Sequence, residues 1–153
     1  MNRRELVKTM GLLLTLPVVS KLTGCKEEVN INDEWESKVT SLEEADVLSA
    51  TEPGEWEGKE GSHVPEVTDN GDGTVTLSTP HGMTPPSDDD AEHYIDVIYL
   101  KDQNGTVIGL AEFTAEDEEA ITTITLPAGT TQVVGYSSCN LHGLWQSESV
   151  SVG

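Results

Sequence analysis

What this chain lacks most is positive charge. Eight Lys and Arg stand against 28 Asp and Glu, for a formal net charge of −20 over 153 residues. Both arginines, Arg3 and Arg4, sit at the very start, and beyond residue 25 the only bases are Lys26, Lys38, Lys59 and Lys101. Binding nucleic acid needs clustered Lys and Arg, so that class of partner is excluded. Acidity keeps a protein soluble and discourages non-specific contact, but it carries no information about the fold. Cysteine is scarce too. Cys25 and Cys139 are the only two, too few for a disulfide framework. Long apolar runs are also missing. The stretch from Met10 to Val19 falls well short of the roughly 20 residues a bilayer span needs.

That short run is placed where an export signal would have it. Arg3, Arg4 and Lys8 precede it, small residues follow, and "LTGC" ending at Cys25 resembles a lipobox. "NRRELVK" resembles a twin-arginine export motif, a route that usually carries folded, often cofactor-loaded proteins. The expectation is a signal over residues 1–24, with Cys25 as the lipid-bearing first residue of the mature chain. The protein would then be extracytoplasmic, held to the periplasmic or cell-surface side of a membrane. Loss of residues 1–24 removes four bases and one acid, taking the net charge from −20 to −23. Residues 25–58 are acidic, poor in apolar side chains and end in Pro/Gly punctuation. They predict a tether, with room for a short helix over Ser41–Leu48. Cys139 is then without an intramolecular partner, either a ligand or an inert core residue.

From residue 59 to 153 the pattern changes. "DGTVTLST" alternates apolar with polar after the turn signal "DNGDG". "HYIDVIYL" and "TVIGLAEF" flank "KDQNG", and Asn-Gly is a strong hairpin cue. "AITTITL", "TQVVGYSS" and "LWQSESVSV" continue the alternation, while "AEDEEA" reads as a solvated loop. About seven short strands at this spacing predict one all-β domain, an antiparallel β-sandwich.

All four histidines, His63, His81, His93 and His142, fall in this domain, in predicted loops or at strand ends. Distant segments converge at such places. Imidazole and thiolate are ligands for Fe, Cu, Zn and Ni, whereas Ca and Mg prefer oxygen. Cys139 and His142 share one short turn and could bind one ion from adjacent directions. Spacing alone leaves open whether these side chains form a metal site or lie scattered. A Cys-His nucleophile would leave three histidines idle.

"HVPEV", "HGMT…EHYIDVIYL" and "CNLHGLW" resemble, in that order, the iron domain of superoxide reductases, namely neelaredoxin and the iron-binding domain of desulfoferrodoxin. The resemblance covers about residues 59–148. It implies an immunoglobulin-like β-sandwich with one mononuclear non-haem iron. It also implies four equatorial imidazoles from His63, His81, His93 and His142, with Cys139 as axial thiolate opposite an open position. The implied reaction takes superoxide to hydrogen peroxide. Its electron would come from a separate donor protein, since four-cysteine electron-transfer sites are ruled out by the cysteine count. Relatives often associate through the sandwich, so a homo-oligomer is compatible. Backbone N–H groups of Leu141 and His142 are expected to hydrogen-bond the sulfur. Asn140 and Gly143 are residues that tolerate the tight turn this needs. Trp145 is expected to pack in the core beside the site.

Two features depart from the family pattern. The family commonly has Glu-Lys before the first histidine, where this chain has Gly61 and Ser62. The family's lysine serves to attract superoxide and help deliver a proton. Lys59 is the nearest base by sequence and Ser62 could hold a water, so these two are the candidate catalytic residues. Eleven residues also separate His81 from His93, more than usual, and the insert Pro85–Ala91 carries three aspartates that would repel an anion. A non-catalytic iron protein, an electron carrier or redox sensor, is therefore the alternative. A partner-binding or carrier β-sandwich with a free cysteine is a third and weaker reading.

Overall fold

The structure is a computed structural model and describes residues 31–153. The expected export signal, Cys25 and the first residues of the expected tether lie outside the described residues. Among the described residues, no helix is long and apolar enough to cross a membrane.

Two sheets, antiparallel except for the β1–β8 pair, form a β-sandwich, as the alternating segments predict. The smaller sheet has the order β2 (Glu66–Asp69), β3 (Thr74–Thr79), β6 (Ala120–Thr125). The larger runs β1 (Val47–Leu48), β8 (Gly143–Gln146), β7 (Gln132–Cys139), β4 (Ile95–Asp102), β5 (Val107–Glu112), with β9 (Val150–Ser151) also on β7. Seven of these strands have four or more residues. β3 shows how one buried face is specified: Val75, Leu77 and Thr79 point inward, while the residues between them are only partly buried. Between the sheets Val75, Leu77, Ile95, Ile98, Leu100, Ile124 and Val133 pack into one core. Gly135 lets the sheets approach closely, since a Cβ there would lie 2.6 Å from Leu77 Cδ1 and 2.8 Å from Val67 Cγ2.

β4 is different, buried without interruption from Val97 to Leu100. Such a strand needs cover on both faces. The outer cover is α1 (Ile31–Leu42), whose Trp35, Val39 and Leu42 pack with Val97, Tyr99, Val107 and Leu144. Polar contacts fix the helix in place. Glu36 Oε1 accepts from Val107 N–H (3.1 Å), Lys38 pairs with Glu112, and Glu43 accepts from Tyr99 O–H (2.8 Å) and Lys101 Nζ (2.5 Å).

The tether expectation for 25–58 therefore fails from residue 31 onward. The segment is sparse in apolar residues, but Trp35, Val39 and Leu42 are spaced by four and three, so one helix face collects them. The helix ends at Leu42, and the predicted short helix over Ser41–Leu48 is replaced by β1, which runs parallel to β8 through Val47↔Leu144 and Leu48↔Trp145. β1 covers an edge that would otherwise expose unpaired N–H and C=O groups. A 3₁₀ turn (Gly54–Trp56) and the single-turn helix α2 (Glu60–His63) then lead into β2.

Candidate metal centre

Five side chains from four separate segments converge at one end of the sandwich. His63 ends α2, His81 follows β3, His93 precedes β4, and Cys139 and His142 flank the β7–β8 turn. Their ligand atoms all lie within 4.8 Å of one another. Around the ring, His63 Nε2 to His142 Nδ1 is 3.1 Å, His142 Nδ1 to His93 Nε2 is 3.0 Å, and His93 Nε2 to His81 Nε2 is 3.0 Å. Neighbouring imidazoles stand edge to face, at interplanar angles of 72° to 82°. His63 and His93 sit across the diagonal, with ring centres 6.3 Å apart. The sulfur of Cys139 lies 3.5 Å from His142 Nδ1 and 3.9 Å from His81 Nε2.

This geometry suits a single ion. Two nitrogens each about 2.1 Å from one metal, at right angles, stand about 3.0 Å apart. Four imidazoles and one thiol are a donor set for borderline transition metals, not for Ca or Mg.

The far side of each ring fixes which nitrogen faces inward. His63 Nδ1–H donates toward Lys59 O (3.0 Å) and Ser62 Oγ (2.8 Å), and His81 Nδ1–H donates to Gly82 O (2.5 Å). Both leave Nε2 as the free lone pair, an outer arrangement typical of histidine ligands. Burial lowers the proton affinity of all four imidazoles, most for His63, which falls to about 4. They are therefore neutral and ready to bind at pH 7. Burial pushes the Cys139 thiol up, while the N–H groups of Leu141 and His142 and the charge of Lys59 pull it down. A bound cation deprotonates such a thiol outright.

The turn that carries Cys139 and His142 is held from several sides. Gly143 takes the left-handed conformation (φ 79°) that a side chain would resist. Asn140 does not share that role, since none of the described non-glycine residues has positive φ. Fully buried Trp145 donates its indole N–H to His142 O (2.9 Å), and its ring lies 5.5 Å from that of His63. Beneath the site, Thr79 Oγ1 donates to Ser137 Oγ (2.9 Å) in the core. That bond ties β3, two residues before His81, to β7, two residues before Cys139.

The two candidate catalytic residues are placed differently. The Lys59 ammonium stands close enough to lower the proton affinity of His81, His93, His142 and Cys139. Lys38 and Lys101, the other lysines among the described residues, are paired elsewhere with Glu112 and Glu43. Ser62 sits behind His63, its hydroxyl engaged with Nδ1 and with Lys59 O (3.2 Å). Glu60, next to the family's glutamate position, accepts from Gly58 N–H (2.9 and 3.0 Å). Asp90 and Ala91 of the insert line a hollow beside His93 with Thr84 and Leu141, the last 48% exposed. Sequence reasoning passed over Trp56, whose ring packs edge-on to His142 at 4.7 Å, and over Thr79 and Ser137. The latter pair carried a signal, as polar residues on inward positions of alternating strands.

Fold and donor set together define a β-sandwich protein with a metal-binding group of four histidines and one cysteine. The family model described as Desulfoferrodoxin matches residues 55–148, and the chain belongs to that family. Among solved structures, a superoxide reductase (neelaredoxin) from Ignicoccus hospitalis is 23% identical, with a TM-score of 0.51 over 70% of this chain and 95% of that one. A hypothetical protein from Pyrococcus horikoshii OT3 is 27% identical, with a TM-score of 0.50 over 63% and 93%. The superoxide reductase from Treponema pallidum is 28% identical, with a TM-score of 0.49 over 60% and 70%. A search of the curated proteins finds no match.

Proposed function

We propose that this protein is a superoxide reductase acting on the extracytoplasmic side of a membrane, anchored there by lipid on Cys25. The observation that carries the reading is the square of four neutral imidazoles with the Cys139 sulfur beside it. His63, His81, His93, His142 and Cys139 would hold one iron, which when bound supplies a single electron by changing oxidation state. One superoxide, one electron and two protons give one hydrogen peroxide. An electron-donor protein outside this chain must restore the electron.

The chain's own residues account for substrate capture and for tuning. Hydrogen bonds from Leu141 and His142 N–H withdraw charge from the Cys139 sulfur and set its donor strength. Lys59 supplies the positive charge that draws a small anion toward an otherwise acidic surface. It takes over from the lysine that Ser62 replaces, reaching the site from one helical turn earlier. The Lys59→Ala variant is expected to consume superoxide about 10-fold more slowly at low ionic strength. An unchanged pulse-radiolysis rate removes Lys59 from the mechanism.

The absent Glu-Lys pair and the aspartates of the insert favour a second reading, a non-catalytic iron protein that carries or senses electrons. Metal content and superoxide consumption, measured on anaerobically purified protein, separate the two. Iron with turnover supports the reductase, and iron with colour but no turnover supports the carrier. A colourless zinc protein sinks both.

A further inference from the structure

His93 must leave the β4–β7 ladder in order to face the other ligands, and that departure exposes its neighbours. The last register pair between the strands is Ile95↔Cys139. One step further, Asn140 N–H still donates to Tyr94 O (3.1 Å). Beyond that the backbones part, and the N–H of Tyr94 and the carbonyl of Glu92, which bracket His93, need other partners. The Asn140 side chain supplies both. Its Oδ1 accepts from Tyr94 N–H (3.0 Å) and its Nδ2 donates to Glu92 O (2.9 Å). A primary amide presents one acceptor and one donor side by side, as a peptide group does, so it can stand in for one more rung of the sheet. Only one orientation of the amide satisfies both bonds, which fixes its assignment.

The opposite side of His93 is sewn down as well. His93 N–H donates to Thr84 O and Thr84 N–H to His93 O, each at 2.9 Å, joining this segment to the loop that begins at His81. The His93 segment is thus the middle of a three-part splice. On one flank lies the His81 loop, and on the other the turn that carries Cys139 and His142.

We propose that Asn140 is a positioning residue for the metal centre: its amide locks the backbone on both sides of His93 to the Cys139–His142 turn, and so sets the ligand spacing. The proposal rests on the metal-centre reading and adds to it a residue that never touches the ion. Its role is distinct from tolerance of a tight turn, which belongs to Gly143.

The test uses cobalt(II) as probe, titrated into the chelator-stripped full chain and followed through its thiolate-to-metal charge-transfer absorption. Asn140→Ala is expected to weaken cobalt affinity by about 10- to 100-fold and to dim or shift the band. Asn140→Asp keeps the acceptor for Tyr94 N–H but sets a second oxygen against Glu92 O in place of the donor, so it too is expected to weaken cobalt binding. It also carries the test should the alanine variant fail to fold. Asn70→Ala is the control. Asn70 Nδ2 also makes two side-chain bonds, to Thr74 Oγ1 (3.0 Å) and Thr76 Oγ1 (3.1 Å), in a turn that holds none of the five ligands. That variant is expected to bind cobalt as wild type does. Asn140 variants that fold and bind cobalt within about twofold of wild type, with the same band, overturn the proposal while leaving the centre intact. A wild-type protein that shows no cobalt–thiolate band overturns the centre itself.

Discussion

β4 has a polar cluster at each end, and the two are finished differently. Toward its C-terminal end, Glu43 of the α1 segment accepts from Tyr99 O–H and from Lys101 Nζ, so each group leaves with a partner. The stacked rings of Tyr99 and Tyr136, with centres 4.6 Å apart, lie alongside. Burial, and then the bond to Glu43, drives the Tyr99 proton affinity far up, which keeps that phenol a permanent donor. Just before its N-terminal end, His93 meets three other imidazoles and a thiol with no carboxylate among the five. The first cluster is complete within the protein. The second gathers five donor atoms within 4.8 Å of one another with no acid among them, an arrangement that suits an added cation and marks a site, not a brace.

That contrast can be broken most directly at the sulfur. In iron-loaded, oxidised protein, Cys139→Ser is expected to abolish the thiolate-to-iron(III) charge-transfer colour that the proposed centre would give. Persistence of the band in the variant would show that another group is its source.

Acid gives a second and smaller test. Each imidazole has its proton affinity lowered by folding, so the unfolded chain binds more protons between the folded and unfolded values. Stability of the metal-stripped protein should therefore be complete above about pH 6.5 and be lost as the pH falls toward the His63 value of about 4. Urea melts across that range should show a shallower slope in His63→Gln than in wild type. Equal slopes would mean that His63 is not responsible.

The least severe change belongs to the completed cluster. Glu43→Ala strands the Tyr99 hydroxyl and the Lys101 ammonium and is expected to cost about 1–3 kcal/mol in urea unfolding. Cobalt absorption should not move. A spectral change would mean that the α1 face and the ligand end are coupled through β4, and the contrast would need redrawing.

The strands and the ligands were legible in the sequence for different reasons. Alternation made β3 and β6 visible, because one buried face imposes a two-residue period, while the Asn-Gly turn marked the β4–β5 hairpin. The five ligands stood out because His and Cys are rare in this chain and fall within recognisable family motifs. α1 was hidden: its three apolar anchors are diluted by acids, and mean composition conceals what a helical period collects. The continuous burial of β4 was itself a clue, since an apolar run with no polar face requires cover from somewhere. Asn140 could be read only as a turn residue, because its partners lie 46 and 48 positions away in the chain.

By itself the sequence determined the class of fold and the chemical identity of the donors, since periodicity and side-chain type are local properties. Tertiary structure alone decided that four segments bring those donors within 4.8 Å of one another. It also decided which ring nitrogen of each histidine turns inward, that the Lys59 ammonium acts on His81, His93 and His142, and that residues 31–58 belong to the domain. Each of those depends on atoms far apart in the chain, and their distances are set by packing between the sheets and beneath the helix.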